Sequence, residues 1–328
     1  MATDQVAGDK NPLPRLGLGT SPLGNLYTEV TDSQARAVVD AAWEAGVRSF
    51  DTAPHYGLGL AERRLGAALA DRPRAEFVLS TKVGRLLVPD PAGAGRRDDD
   101  GFAVPATQRR VWDFSAAGVL RSLESSLERL GLDRVDVVYV HDPDDHWDQA
   151  VGEAVPALVE LREQGVIGAV GVGMNQWRMP ARFVRESDVD VVMLAGRYTL
   201  LEQPALAEFL PLCAERGVDV VVAGVFNSGL LAQHEVPDDA THDYRAAPAD
   251  LIDRARRIAA VCARHGTTLP AAALWFPFGH PAVTGAVVGA RTEAEIRANV
   301  AALTAPPPLG LWAELRGEGL LAADAPAP

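Results

Sequence analysis

Four side chains able to move a proton stand at the ends of short apolar runs in the first half of this chain. Asp51 follows Val47-Arg48-Ser49-Phe50 and leads into Thr52-Ala53-Pro54-His55-Tyr56-Gly57. Lys82 closes Phe77-Val78-Leu79-Ser80-Thr81, and His141 closes Val135 to Val140. Composition singles out Lys82, because it and Lys10 are the two lysines among 31 basic side chains. A guanidinium keeps its proton, whereas a desolvated ammonium shifts its pKa and can tune a neighbouring acid. Tyr56 alone is a poor acid or base at neutral pH, since an unperturbed phenol titrates near 10. An ammonium beside it stabilises the phenolate, a carboxylate beyond the ammonium holds it charged and oriented, and an imidazole hydrogen-bonds the reacting oxygen. Such a set can protonate or deprotonate an oxygen attached to carbon. It offers no nucleophile, because no Ser or Cys is placed beside a base in these segments.

Each residue taken alone has an ordinary use: Asp51 as a turn cap, Tyr56 packed on a rim, Lys82 in an ion pair or with its head in solvent, His141 as a satisfied strand-end histidine. Four together at the ends of adjacent strands point to function. The stretch His141-Asp142-Pro143-Asp144-Asp145-His146 also resembles a divalent-metal site. Barrel metal sites draw ligands from several strands, and here the other nearby candidates are Asp51 and His55, so no metal is expected.

The elements that must carry these residues alternate. Apolar, β-branched runs at Arg15–Gly19, Val47–Phe50, Phe77–Thr81, Val135–Val140, Val166–Val172, Val189–Leu194, Val218–Ala223 and Thr284–Val288 predict eight strands. Helical period over Thr31–Ala45, Leu60–Ala70, Ser115–Leu130, Trp147–Gln164, Met179–Glu186, Pro204–Arg216, Ala249–His265 and Thr292–Leu303 predicts eight helices. Thr31 or Asp32 can cap the first helix, and Gly46, Gly131, Gly165, Gly217 and Gly266 each follow a helical segment, where a left-handed residue is wanted. Strands apolar on both faces and separated by helices indicate a buried parallel sheet. Eight such units without a composition break predict one (β/α)8 TIM barrel over residues 15–304, with a flexible arm at 1–14 and a C-terminal tail at 305–328. A doubly wound sheet is the alternative, but no Gly-x-Gly-x-x-Gly opens a helix. In a barrel the active site lies at the C-terminal strand ends, where Asp51, Lys82 and His141 fall. Two long connections, Val83–Asp113 and Gly224–Pro248, are of a length that usually carries function or disorder.

Composition excludes several classes. A formal charge of -13 with pI near 5.0 provides no field for nucleic acid or an anionic membrane. Cys213 and Cys262 lack metal-ligand spacing and read as buried thiols in a reducing compartment. The first 14 residues contain no apolar h-region, and no apolar run approaches the ~18 residues of a span, so a cytoplasmic location is expected.

Phe50-Asp51-Thr52-Ala53-Pro54-His55-Tyr56-Gly57, Ser80-Thr81-Lys82, Val138-Tyr139-Val140-His141 and Gly171-Val172-Gly173-Met174-Asn175 resemble successive motifs of the aldo-keto reductase superfamily, over about Leu16 to Asn299. The stretches Val140 to His146, Met193-Leu194-Ala195-Gly196-Arg197-Tyr198 and Gly224-Val225-Phe226-Asn227-Ser228-Gly229 further resemble its bacterial branch of D-threo-aldose or L-fucose 1-dehydrogenases and pyridoxal 4-dehydrogenases. The resemblance implies Tyr56 as general acid or base, Lys82 and Asp51 as its tuners, His141 orienting the substrate oxygen, and Asn175 on the nicotinamide carboxamide. It also places Gly19, Thr20, Ser21, Asp51, Asn227, Ser228, Gly229 and Asn299 around the cofactor. Met174, Ala195 and Ala223 depart from the usual Ser, Gln and aromatic, so the ring stacking must differ, and Phe226 is the candidate replacement. Gly289 and Glu295 stand where NADP-dependent members carry a Lys and an Arg, which favours NAD over NADP, while Arg291 keeps NADP open. Met174 and Trp177 read as core or second-layer residues, and Tyr27, His55 and Trp112 as candidate substrate liners. The expected activity is hydride transfer between NAD(P) and a sugar hemiacetal, alcohol or aldehyde by a monomer or small homo-oligomer. The alternatives are an NADPH-dependent aldehyde or ketone reductase of a secondary pathway and a weakly catalytic nicotinamide-binding regulatory module.

Overall fold

The runs that are apolar on both faces form eight short parallel strands, each sandwiched between a packed interior and a shell of helices. They are β1 Leu16–Gly19, β2 Ser49–Asp51, β3 Val78–Val83, β4 Val137–His141, β5 Ala169–Met174, β6 Val191–Ala195, β7 Asp219–Ala223 and β8 Val283–Gly289. This computed structural model describes residues 15–243 and 245–328. The expected arm at 1–14, Lys10 included, lies outside them. Each strand pairs with its sequence neighbours and β1 closes onto β8, giving the predicted barrel.

Strand alternation separates two packings. Leu18, Phe50, Leu79, Val138, Val140, Val170, Val172, Val192, Leu194, Val220, Val222 and Val288 face the helices in the main core. Val137, Tyr139, Ala169, Val191, Met193, Val221 and Val287 form a separate cluster that fills the barrel. Asp51, Lys82 and His141 have the inward parity of this second set, displaced toward the C-terminal strand ends.

The helices match the sequence with instructive exceptions. Thr31 caps Asp32–Glu44 in a reciprocal capping box with Gln34, and Ser115 caps Ala116–Leu130, which ends on Gly131 at φ 64°. The expected helix Trp147–Gln164 is instead α over Trp147–Gln149, π over Ala150–Ala154 and α over Val155–Glu163. Pro156 has no N–H to donate back into the preceding turn, which accounts for the loosened ladder. The helix expected from Pro204 begins at Phe209, after a turn. Leu269–Trp275 was not predicted because Leu-Pro-Ala-Ala-Ala-Leu-Trp has no polar face to give a period. Within the expected tail, Leu309–Gly317 is a helix that buries Leu311, Trp312 and Leu315, while Pro306-Pro307-Pro308 obscures the pattern in the sequence. Both cysteines are buried free thiols, pushed up to about 12 by desolvation, in keeping with an inert packing role.

Both long connections contain order. The first forms an antiparallel hairpin of Arg85–Pro89 with Gln108–Trp112, and the second a two-residue pairing of Thr241–His242 with Arg245–Ala246. The first hairpin brings arginines and aromatics to the rim that β2, β3 and β4 supply.

Candidate active site

Strand β3 delivers Lys82, and its outer face is anchored from behind. Thr81 donates to Glu62 at 2.9 Å, and Arg129 holds the other oxygen of that fully buried carboxylate at 2.5 Å. On the inner face the Lys82 ammonium donates to Asp51 Oδ2 at 2.6 Å and to the Thr52 carbonyl at 2.9 Å, while Ser80 donates to Asp51 Oδ1 at 2.7 Å. Lys82 and Asp51 are 2% and 3% exposed, so the attraction acts with little solvent screening. Burial pulls the ammonium pKa down, and the opposing pull of Asp51 and Tyr56, by charge and hydrogen bond, leaves it raised above its ordinary value. The lysine is therefore a cation at neutral pH.

Tyr56 follows β2 on a turn that requires Gly57. That residue has φ 61°, and a Cβ there would lie 2.2 Å from the Gly24 carbonyl oxygen. The turn sets the Tyr56 ring with its centroid 4.8 Å from Lys82 Nζ and 6.1 Å from the His141 ring, edge to face at 88°. The loop residue Phe102 lies 6.2 Å from Tyr56 and 5.2 Å from His55. Tyrosine, lysine, aspartate and histidine thus meet as the sequence predicts, at a cleft of about 660 Å³.

Two arginines of the hairpin shape the electrostatics. Arg110 donates to the His55 carbonyl at 2.8 Å and pairs with Asp98 at 2.5 Å. Desolvation first, then Arg85, Arg110 and Lys82, lowers His55 to about 2, and desolvation followed by Arg85 and Lys82 holds His141 well below its ordinary value. Both imidazoles are neutral in the fold, so His141 offers the cleft a hydrogen-bonding group without a charge. In the unfolded chain they take up protons below about pH 6.5. The unfolded state then binds more protons, and stability falls with pH by up to about 1.4 kcal/mol per unit for each group. Urea midpoints at pH 7.5, 6.5 and 5.5 should show a steeper acid loss for wild type than for His55→Gln; parallel curves would contradict the assignment of His55.

The other predicted residues divide. Gly19, Ser21, Tyr27, His55, Asn175 and Gly289 line the cleft. Thr20 is buried and donates its hydroxyl to the Asp51 carbonyl at 3.0 Å, so it braces β2. Phe226 packs against the main core and is not among the lining residues; the small Ala195 and Ala223 are, with Met193 and Val287. Met174, read from the sequence as core, is 2% exposed yet lines the cleft, whereas Trp177 packs on the main core. Trp112 lies in an adjoining pocket of about 300 Å³ with Asp144, Asp145 and His146, stacked on Phe114 at 5.8 Å. Asp142 pairs with Arg85, and among the described residues no group of three or more His, Cys, Asp or Glu is placed to hold a metal ion. Arg85, Phe102 and Arg110 were missed as site residues, because a Gly- and Asp-rich connection has no period to show that it folds back over the rim, and Asp142 stood out in the sequence only as a possible metal ligand.

The match to a family model decides the classification: residues 15–309 fit that of the aldo/keto reductase family. The chain belongs to the aldo/keto reductase family. This aldo/keto reductase is 50% identical over 306 residues to the D-threo-aldose 1-dehydrogenase of a Pseudomonas species, with 92% of this chain and 93% of that one covered. It is 41% identical over 323 residues to the pyridoxal 4-dehydrogenase of Microbacterium luteolum, covering 93% and 94%. Among solved structures it superposes on the holo form of an aldo-keto reductase from Bacillus halodurans with TM-score 0.71 at 27% identity, over 95% of this chain and 93% of that chain. A glycerol dehydrogenase from Gluconobacter oxydans, at 23% identity and TM-score 0.76 over 98% and 95%, shares the fold. Aldo/keto reductases are oxidoreductases that use NAD(P)H, so the site must also accept a nicotinamide nucleotide.

The residues of this aldo/keto reductase fit that group. Gly19, Ala195, Ala223, Gly224 and Gly289 leave the cleft without bulky side chains along one side. Beyond Gly224 the loop carries Asn227, Ser228 and Gly229 at φ 47°, 58° and 101°, a tight turn in which the Asn227 and Gly229 N–H groups donate to the Gly224 and Phe226 carbonyls at 2.9 and 3.0 Å. Asn227 is 3% exposed, and both polar atoms of its amide are without a partner among the described residues. A buried amide left unpaired is costly, and a polar group of the nucleotide would satisfy it. Among the described residues no helix is long and apolar enough to cross a membrane.

Proposed function

We propose that this protein oxidises the hemiacetal carbon of an aldose to the lactone with NAD as the preferred acceptor. The observation that carries the reading is the buried Lys82–Asp51 pair at 2.6 Å beneath the Tyr56 ring, with His141 edge-on beside it. The nicotinamide, when bound, supplies or accepts a hydride at its C4. Tyr56 takes the proton from the anomeric hydroxyl, or returns it in the reverse direction, through its phenol oxygen. Lys82 stabilises negative charge on that oxygen, and Asp51, bound on its second oxygen by Ser80, holds the ammonium in place. Neutral His141 hydrogen-bonds the substrate oxygen and adds no charge. Asn175 would hold the carboxamide, with its own backbone carbonyl fixed by Arg197 Nε at 2.7 Å, and the buried Asn227 side-chain amide would meet the pyrophosphate. The aldose class rests on the relative that is 50% identical, a D-threo-aldose 1-dehydrogenase. Purified protein given a panel of aldoses, pyridoxal and simple aldehydes with each cofactor, followed by absorbance of the reduced nicotinamide, tests it. NAD reduction with an aldose is expected. Turnover only of aldehydes with NADPH would replace this reading, and tight cofactor binding without turnover would mark a regulatory module.

The nucleotide preference rests on Glu295. Its carboxylate accepts the Arg291 N–H at 2.7 Å, and its own N–H is capped by Thr292 at 3.2 Å, which fixes an anion near the rim behind Gly289. Arg291 reaches the Leu26 carbonyl at 3.5 Å and lies over the Tyr27 ring at 5.9 Å, and Asn299 is half-buried on the same helix, Glu293–Ala302. A 2′-phosphate brings close to two negative charges to such a carboxylate. Wild type should show the higher kcat/KM with NAD, and Glu295→Gln, which keeps the acceptor and removes the charge, should narrow the ratio severalfold, less so in high salt. Substituting Gly289 is a poor complement, because a Cβ there lies 2.8 Å from the Pro22 ring. A wild type preferring NADP would show that Glu295 does not face the nucleotide.

A further inference from the structure

The cleft contains a charged pair that the proton-transfer set leaves unused. Arg85, the first residue of the hairpin, and Asp142, just past β4, form an ion pair whose side chains are 11% and 15% exposed, and both line the cleft. Their arrangement is over-determined. Asp142 sits at φ 43°, a conformation unfavourable for a residue with a Cβ, and its N–H is bound to the Gly173 carbonyl at 3.0 Å. Its second oxygen lies 3.4 Å from the Asn175 amide, and the Arg85 guanidinium is covered by the Trp112 ring at 4.4 Å. A purely structural ion pair needs none of this orientation. Beside it, Arg85 Nε and His55 Nδ1 are buried with no partner among the described residues. Such groups are costly to leave unpaired and so point to a polar ligand.

A guanidinium fork next to a carboxylate matches vicinal hydroxyls, one accepting from the fork and the other donating to the carboxylate. It does not match an anion. The cations lining the cleft, Lys82 and Arg85, are each already on a carboxylate, and Asp99 and Asp100 stand at the same wall. We propose that Arg85 and Asp142 read the hydroxyls on carbons next to the reacting carbon of a neutral aldose, and that the hairpin determines substrate specificity. This inference rests on the aldose reading above.

The test compares two substrates of one reaction, L-fucose and 2-hydroxytetrahydropyran, a six-membered hemiacetal without ring hydroxyls. Asp142→Asn and Arg85→Gln should each lower kcat/KM for L-fucose about 30-fold or more relative to that for 2-hydroxytetrahydropyran, the loss of a charge-assisted hydrogen bond that only the hydroxylated substrate makes. The double variant Arg85→Gln/Asp142→Asn leaves no lone buried charge and serves if a single variant fails to fold. An equal fall for both substrates, or none for either, makes the pair structural and overturns the proposal. A wild type that oxidises 2-hydroxytetrahydropyran but no aldose overturns it while sparing the Tyr56 chemistry. One that oxidises neither overturns the function proposed above as well. D-galacturonate turned over better than D-galactose would refute the neutral-substrate part.

Discussion

Tyr56→Phe should lower kcat at least about a hundredfold while cofactor affinity stays within about twofold. The substitution removes one hydroxyl and keeps the ring that packs against Phe102, Leu58 and Val104, so the cleft retains its shape. A positioned acid or base contributes roughly 10²–10⁴ to a rate, and what is lost here acts mainly in the transition state. Binding of the nucleotide, by quenching of protein fluorescence or by calorimetry, separates this from a damaged fold. Wild-type turnover by the Phe variant would remove Tyr56 from the mechanism.

Lys82 should be the more demanding position, because activity and stability both depend on it. In Lys82→Arg the charge remains but the head becomes larger and planar, in a site 2% exposed and packed under Tyr56. Turnover should fall by two or more orders of magnitude. Lys82→Met should abolish measurable turnover and also leave Asp51, 3% exposed, as a buried charge without its cation. Removing one partner of a buried pair costs about 3–5 kcal/mol, so its urea midpoint should drop clearly. Lys82→Met/Asp51→Asn removes both charges and should recover much of that stability without recovering activity. If the double variant is as unstable as Lys82→Met, the pair is not what stabilises this part of the barrel. A fully active Lys82→Arg would reduce Lys82 to an ion-pair partner.

The legible part of the site is the part carried by strands. Asp51, Lys82 and His141 each close an apolar run, and runs of that kind end at the same rim whenever they form a parallel barrel. Tyr56 was legible through the Pro54 to Gly57 turn that follows at once. Trp112 shows the limit. As a lone aromatic at the end of a long connection it read as a wall of the substrate site, yet it stacks on Phe114 and Arg85 in the adjoining pocket. Phe226 fails similarly, because its direction depends on the left-handed turn at Asn227 and Ser228, which no alternation encodes.

The sequence by itself determined the barrel and singled out the four residues that meet at its rim, because strand period, helix caps and the scarcity of lysine are local properties that survive without coordinates. Only the tertiary structure decided how the set is tuned and walled. The hairpin of Arg85–Pro89 with Gln108–Trp112 joins segments about twenty residues apart and faces Asp142 across 57 residues of chain. Burial first, and then charges that include its arginines, keep His55 and His141 neutral, and Arg85 with Asp142 adds an ion pair to the cleft lining. Such charge interactions depend on distance and burial in space, and the spacing of residues along a chain carries neither.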